Sequence, residues 1–389
     1  MNMKQLLSPV VSSIQPSGIR KFFDIVSSMP DALSLGVGEP DFVTPWHIRD
    51  AGIYSLEKGQ TYYTSNSGMA PLREEICNYM NRRFSLEYNS DTEVLVTVGG
   101  SEAIDLCLRS LVCKGDEVLI PEPSFVCYSP CTQLAGGTPV PIVTTEKDNF
   151  KLTAEALKKA ITPNTKLLIL PFPNNPTGAI MTKHELEQVA KVLNDTQIIV
   201  LSDEIYAELT YNGKHTSIAN IEGMKERTVV ISGFSKAYAM TGWRLGYACG
   251  HSDIIASMTK IHQYSVMCSP TTSQFAAIDA LKNGDADIEA MAAEYNYRRK
   301  IILDGVRQIG LECFEPQGAF YIFPNITSTG LSSNEFCEKM LTEQKVAVIP
   351  GNAFGSSGEG FIRCSYAYSI PVINQALERM DTFVKKYKR

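Results

Sequence analysis

The stretch Ser232-Gly-Phe-Ser-Lys-Ala-Tyr-Ala-Met-Thr-Gly-Trp-Arg-Leu-Gly246 joins two short apolar runs, at residues 228–232 and 245–249, that have the composition of buried strands. Lys236 follows the first run and is surrounded by small residues, where a bulky ligand can approach the backbone. An amine that is desolvated near positive charge loses its proton and becomes a nucleophile for an aldehyde. Arg244 carries a planar guanidinium that suits a phosphate. Taken alone, each would be a surface charge, so the prediction depends on the rest of the chain.

The sequence on both sides of this stretch predicts an α/β fold. We predict strands at residues 93–98, 117–120, 166–170, 197–202, 228–232 and 245–249, separated by amphipathic helices such as 102–112 and 183–193. Strands that are apolar throughout and alternate with helices indicate a mostly parallel sheet covered on both faces. Ligands of such folds bind at the carboxyl ends of the strands, which is where Lys236 lies.

The remaining residues indicate a second, smaller unit. Residues 289–311 predict a long helix that leads out of the sheet. Strands near 319–323, 347–349 and 361–365, followed by a C-terminal helix, indicate an α+β unit, and the N-terminal segment has no core of its own. We therefore expect a large domain at 46–288 and a small, substrate-closing domain formed by 1–45 and 289–389.

Composition argues against several classes of function. The net charge of −6 on 389 residues disfavours a nucleic-acid partner. No apolar run approaches membrane-spanning length and the N-terminus does not resemble a signal peptide, so we expect no membrane partner and a cytoplasmic location. Ten cysteines without a CxxC motif, and without histidines flanking Cys127 and Cys131, predict free thiols and no metal site.

The stretch around Lys236 resembles the cofactor-lysine signature of the class I/II aminotransferases, which are pyridoxal-phosphate (PLP) enzymes of fold type I, and the resemblance extends over essentially the whole chain. It implies a large domain with a mostly parallel seven-stranded sheet between helices, plus a smaller α+β domain. It also implies that Lys236 holds PLP as a Schiff base and acts as general acid and base, while Arg244 binds the phosphate. The pattern is most similar to bacterial aspartate/aromatic aminotransferase-like and acetyl-diaminopimelate aminotransferase-like enzymes.

Two further motifs match the cofactor site of this family. Val98-Gly-Gly-Ser-Glu-Ala103 places backbone N–H groups at a helix N-terminus, an arrangement that binds phosphate. The resemblance assigns this role to Gly100, Ser101 and Glu102. Phe125 falls where the family stacks an aromatic ring on the pyridine face of the cofactor.

Polar residues after two predicted strands complete the implied cofactor site. The resemblance implies that Asn175 binds the phenolic oxygen of PLP and lies at the substrate, and a cis bond to Pro176 is expected. Asp203 is implied to keep the pyridine nitrogen protonated, and Tyr206 to bind the phenolic oxygen.

Motifs near the termini match the substrate site of the family. In Leu35-Gly-Val-Gly-Glu-Pro-Asp-Phe42, Gly38 is implied to offer its N–H to the substrate carboxylate, and Arg363 matches the arginine that binds the same group. Tyr63 matches a tyrosine that reaches the phosphate of the neighbouring subunit, which implies a homodimer with shared active sites.

Two positions remain open. Many family members have a serine three residues before the cofactor lysine, whereas this chain has Gly233, so Ser235 is a candidate replacement in phosphate binding. Arg20, in a segment similar to the acetyl-diaminopimelate group, is either a reader of a second carboxylate or a surface charge.

The implied activity is transfer of the α-amino group between an amino acid (aspartate, aromatic or related) and a 2-oxo acid such as 2-oxoglutarate. A PLP-dependent carbon–sulfur β-lyase shares the fold and nearly all of these residues, and remains the alternative. A non-catalytic regulator would need a DNA-binding domain, for which the chain has no spare residues. The signatures do not identify the side chain of the donor.

Overall fold

A computed structural model describes residues 3–16, 18, 29 and 31–388 of the chain. Within these residues it contains thirteen α-helices: α1 Pro9–Ser13, α2 Trp46–Glu57, α3 Ala70–Phe84, α4 Gly100–Leu111, α5 Tyr128–Leu134, α6 Ala154–Ala160, α7 Lys183–Leu193, α8 Phe234–Ala237, α9 Ser252–Ser265, α10 Thr271–Asn283, α11 Asp285–Gln308, α12 Ser333–Gln344 and α13 Ile370–Tyr387. None of these helices is both long and apolar enough to cross a membrane.

The described residues also form twelve strands: β1 Leu33–Ser34, β2 Val94–Thr97, β3 Glu117–Glu122, β4 Thr138–Val143, β5 Thr165–Leu170, β6 Ile199–Asp203, β7 Thr228–Gly233, β8 Gly246–Cys249, β9 Tyr321–Ile322, β10 Val346–Ala347, β11 Ile349–Pro350 and β12 Ile362–Ser365.

Seven strands form the main sheet, in the order β2-β8-β7-β6-β5-β3-β4. All neighbours pair in parallel except for β8, which is antiparallel to both β2 and β7. Six of the seven strands therefore run in the same direction, and their carboxyl ends meet at one edge. The predicted α/β fold with a mostly parallel seven-stranded sheet is confirmed.

The sheet is buried because successive residues of its strands pack on opposite faces. On one face, Val118 and Leu167 belong to a core that includes residues of α4 and α9. On the other face, the neighbouring Leu119 and Leu168 belong to a core that includes residues of α6 and α7. The capping box of α7, between Thr182 and Glu185, fixes the start of that helix at the predicted residue.

The rest of the chain contains two small sheets. Strands β11-β12-β9 form an antiparallel sheet, and β1 pairs in parallel with β10, which joins the N-terminal segment to the C-terminal part of the chain. The strand predicted near 347–349 is present as two short strands, because the chain changes pairing partner around the buried Val348. The long helix predicted at 289–311 is present, but it begins at Asp285 and ends at Gln308.

Candidate active site

A cavity of about 450 Å³ opens where the strands of the main sheet end. The segments that follow β2, β3, β5, β6 and β7 all reach this edge, and the segment before β8 returns to it. Eleven of the residues predicted from sequence line the cavity: Gly38, Gly100, Ser101, Phe125, Asn175, Asp203, Tyr206, Ser235, Lys236, Arg244 and Arg363. The sheet topology thus brings together residues that lie as far apart in sequence as Gly38 and Arg363.

Lys236 lies in the short helix α8, directly after β7, and its half-buried side chain lines the cavity. Burial lowers the pKa of Lys236 from its usual 10.5 to about 8. The carboxylate of Glu39 opposes this effect, whereas Arg363 and Arg244 add to it. The Nζ atom donates a hydrogen bond to the carbonyl oxygen of Gly38 over 2.6 Å. A substantial share of this amine is therefore neutral near pH 8, which is the state that attacks a carbonyl carbon.

Asp203 is the last residue of β6 and is buried in the cavity floor. Its Oδ1 accepts a hydrogen bond from the N–H of Ile205 over 3.2 Å, and its Oδ2 accepts one from the hydroxyl of Tyr128 over 2.8 Å. Burial raises the pKa of Asp203, and both hydrogen bonds oppose that rise. The buried surroundings of Asp203 therefore disfavour an ionised carboxylate that has no partner.

The cavity wall at the start of α4 is made of backbone. Gly99 precedes the helix with φ +81°, a conformation that favours glycine, and Gly100 is the first helical residue. A side chain at Gly99 would come within 2.7 Å of Nη2 of Arg244, so the guanidinium lies against this turn. Free N–H groups at a helix N-terminus and an adjacent guanidinium together form a site for an anion such as phosphate.

Gly233, which departs from the family pattern, is explained by close strand packing. It pairs with Gly246 across β7 and β8. A Cβ atom at Gly233 would lie 2.9 Å from the Cα of Gly246 and 3.0 Å from the carbonyl oxygen of Leu245. The backbone leaves no room for a serine here, and the buried Ser235 lies in the cavity wall two residues on.

Arg363 is buried although it lies on a strand, where an arginine is usually solvated. Its Nη1 donates to Oδ1 of Asn175 over 2.9 Å and its Nη2 donates to the carbonyl oxygen of Gly36. The guanidinium carbon lies 4.5 Å from the ring centroid of Tyr321 and 4.8 Å from that of Phe354. Its Nε is buried without a partner among the described residues, so one donor is still unused.

Tyr206 and Tyr321 bring the main sheet and the small sheet into contact inside the cavity. Their hydroxyl oxygens are 2.8 Å apart, and burial raises the pKa of both phenols. The peptide bond between Asn175 and Pro176 is cis, as expected from the sequence. Phe125 contacts the ring of Tyr128 edge to face, with centroids 6.0 Å apart.

Three residues singled out from the sequence do not line the cavity of their own chain. Tyr63 is 80% exposed on the surface. Glu102 lies in the first turn of α4, but its carboxylate accepts hydrogen bonds from Nδ1 of His262, over 2.9 Å, and from the N–H of Val98. Arg20 lies outside the described residues.

The side chains that line the cavity but were not predicted from the sequence include Tyr128, Tyr321 and Glu39. Tyr128 could have been found, because it follows Phe125 by three residues at the start of a helix. Tyr321 lies in a predicted strand, but nothing in its local sequence indicates that it meets Tyr206. Glu39 lies within the quoted glycine loop and was not considered there. All ten cysteines are free, as predicted.

Comparison with known proteins agrees with this geometry. The family model for aminotransferase class I and II matches residues 30–380. A putative aminotransferase of Bacillus subtilis is 53% identical over 99% of this chain and 100% of its own length. An aspartate aminotransferase of Pyrococcus abyssi is 44% identical over 98% of this chain and 99% of its own.

A solved structure has the same fold over nearly the whole chain. The crystal structure of an aromatic aminotransferase from Pyrococcus horikoshii superposes with a TM-score of 0.90 at 44% sequence identity, covering 94% of this chain and 99% of that one. The family model, the relatives and the fold therefore agree with the resemblance of the motifs. The chain belongs to the class I and II aminotransferase family.

Proposed function

We propose that the chain moves the α-amino group of aspartate, of an aromatic amino acid or of a related donor to a 2-oxo acid such as 2-oxoglutarate, with PLP bound at Lys236. Membership of the family makes it an aminotransferase. The observation that carries the site assignment is the half-buried amine of Lys236, with a pKa of about 8, in a cavity lined by ten other predicted residues. The donors are proposed because relatives are named for aspartate and aromatic substrates.

The residues of the cavity fit PLP. The backbone at Gly99 and Gly100 and the guanidinium of Arg244 suit its phosphate; a side chain at Gly99 would press on that guanidinium, and one at Gly246 would press on the backbone of Gly99 and Gly100. The carboxylate of Asp203 suits a protonated ring nitrogen, and the ring of Phe125 suits stacking on the pyridine. When bound, PLP supplies a reactive aldehyde and an electron-poor ring that stabilises negative charge on the α-carbon of the substrate.

Lys236 is the proposed nucleophile and proton carrier. Its neutral Nζ takes the proton from the α-carbon of the substrate and delivers it again as the product forms. The low pKa makes both directions accessible near neutral pH, because neither protonation state is strongly favoured. The hydrogen bond to Gly38 shows that the amine can also bind the loop on which the substrate carboxylate is expected to lie.

Arg363 is the proposed binding group for the α-carboxylate. Its planar fork suits a carboxylate, and the flanking rings of Tyr321 and Phe354 hold it in one orientation. The contact with Asn175 links the carboxylate site to the residue proposed to bind the phenolic oxygen of the cofactor. Tyr206 is the second residue proposed for that oxygen, and Ser101 and Ser235 are proposed to contribute to phosphate binding.

We further propose a homodimer in which Tyr63 completes the partner's phosphate site. Tyr62, Tyr63 and Tyr264 are 80%, 80% and 88% exposed. The two segments contact each other, because Thr271, seven residues after Tyr264, donates a hydrogen bond to the carbonyl oxygen of Tyr62. Exposed aromatic side chains on contacting segments are typical of a surface that binds another protein. The division into a large domain, 46–288, and a small closing domain, 1–45 with 289–389, is part of the same proposal.

Replacing Lys236 tests the assignment. Lys236→Ala should abolish amino transfer and the visible absorbance of the PLP-loaded enzyme. Lys159→Ala is a matched control, because Lys159 is exposed and pairs with Glu155 on the same helix. Turnover by the Lys236→Ala protein near the wild-type rate would refute the role of Lys236.

A further inference from the structure

A tyrosine that no family motif in the sequence indicated contacts the most deeply buried acid of the cavity. Tyr128 is 2% exposed and Asp203 is 7% exposed, and the hydroxyl of Tyr128 donates to Oδ2 over 2.8 Å. The other carboxylate oxygen accepts only the longer bond from the N–H of Ile205. Tyr128 is thus the only side chain that donates a hydrogen bond to Asp203 within the part of the chain that the structure describes.

Tyr128 is held in place independently of Asp203. It is the first residue of α5, its ring packs against Phe125, and both residues line the cavity. The segment after β3 therefore presents one ring to the cavity and one hydroxyl to the carboxylate at the end of β6. A donor fixed in this way needs no rearrangement when the carboxylate is charged.

The surroundings of Asp203 otherwise disfavour a charge. Burial raises the pKa of Asp203, and Glu204, next to it in the chain, raises it as well. Two other titratable groups in its surroundings are neutral: burial, with a smaller contribution from Asp203, raises the pKa of the Tyr206 phenol, and a hydrogen bond with Cys131, burial and Asp203 raise the pKa of the Cys127 thiol. The hydrogen bonds from Tyr128 and Ile205 are the interactions that favour the ionised form.

We propose that Tyr128 is a positioning residue for the reaction, whose hydroxyl keeps the carboxylate of Asp203 ionised and fixed for its partnership with the ring nitrogen of the cofactor. This inference rests on the proposed function, because Asp203 has that partner only if PLP binds here. Tyr128 itself does not touch the reacting atoms. It acts through Asp203. Removal of its hydroxyl should raise the pH at which Asp203 protonates and the site stops favouring a protonated ring nitrogen.

The test is binding of pyridoxamine phosphate to the full-length protein freed of cofactor, measured by fluorescence from pH 5 to pH 8. This ligand has the ring nitrogen and phosphate but needs no bond to Lys236. With Tyr128→Phe, Asp203 should protonate at a higher pH, so affinity should fall on acidification while the wild type still binds well. At the acidic end we expect about a tenfold loss relative to wild type, since a hydrogen bond to a charged group is typically this strong or stronger.

Two further variants separate this role from simple packing. Tyr295→Phe removes a buried hydroxyl that has no hydrogen-bond partner among the described residues, and it should follow the wild-type pH profile. In an Asp203→Asn background there is no charge to maintain, so adding Tyr128→Phe should change affinity by less than about twofold.

Each outcome decides something different. A Tyr128→Phe profile that coincides with wild type overturns the inference. An equal loss at every pH, retained in the Asp203→Asn background, also overturns it, because it identifies a packing role alone. Failure of the wild-type protein to bind pyridoxamine phosphate refutes the proposed cofactor site itself.

Discussion

Replacing Glu39 with glutamine should make Lys236 reactive at a lower pH. Glu39 lines the cavity and accepts a hydrogen bond from Thr241, and its carboxylate raises the pKa of Lys236. The fall from 10.5 to about 8 in the wild type corresponds to about 3 kcal/mol in favour of the neutral amine. Burial contributes most of this free energy, and the positive charges of Arg363 and Arg244 add to it.

The size of the change follows from the exposure of Glu39. Because this residue is exposed, solvent screens its charge, and an attraction of about 0.5–1 kcal/mol is a reasonable magnitude. Its loss should lower the pKa of Lys236 by about half a unit. The direction of this pKa change is a firmer prediction than its size, since removal of a negative charge can only favour the neutral amine.

The assay is the rate at which the cofactor-free protein captures PLP covalently, followed by visible absorbance between pH 6.5 and pH 9.5. The rate should rise with pH to a plateau, with a midpoint near 8 in the wild type and a lower midpoint in Glu39→Gln. Glu155→Gln is the control, because that exposed carboxylate pairs with Lys159 and does not line the cavity. A midpoint near 10.5 in the wild type, or an upward shift in Glu39→Gln, would refute the electrostatic reasoning.

Three other predictions test separate parts of the structure. Arg363→Lys keeps the charge but loses the planar fork, so kcat/KM should fall roughly tenfold to a hundredfold, about 1.5–3 kcal/mol. Arg379→Lys is the control, because within the described residues Arg379 donates to backbone carbonyls. An unchanged KM in Arg363→Lys would contradict the assignment. Gly233→Ser should lower the free energy of unfolding by about 1–3 kcal/mol in a urea titration, because its Cβ would press on Gly246 and Leu245. Gly242→Ser is the control and should not lower the free energy of unfolding, because a Cβ atom at Gly242 would have no neighbour within 4 Å. Equal stability of the two variants would show that β7 and β8 can separate without cost. Tyr63→Phe should weaken PLP binding roughly tenfold, whereas the control Tyr62→Phe should not. Sedimentation should show a dimer for both variants. Equal affinities of the two variants for PLP would argue against a shared phosphate site.

The main sheet could be predicted because its strands have a clear sequence pattern. Strands β5 and β6 are continuous apolar runs followed by polar residues, and both match their predicted positions closely. Strand β4 was not among the predicted strands, because Pro139 and Pro141 interrupt its pattern and most of it is not buried. It is an edge strand of the sheet, where proline is tolerated.

The site could be predicted where local sequence and chemistry coincide. Lys236 and Asp203 each follow a strand, so the topology alone places them at one edge. Arg363 depended on resemblance, since nothing local distinguishes it from a solvated arginine. The contacts of Tyr128 and Tyr321 are made between segments far apart in sequence, and only the fold reveals them.

The most direct test of the central claim is the visible spectrum of the PLP-loaded protein before and after addition of one amino acid without an acceptor. If the chain transfers amino groups through Lys236, glutamate, aspartate or an aromatic amino acid should bleach the yellow colour stoichiometrically, and 2-oxoglutarate should restore it. Persistence of the colour while pyruvate and ammonia accumulate from a sulfur amino acid would identify a β-lyase instead. Absence of any yellow species would contradict the role of Lys236 and the account built on it.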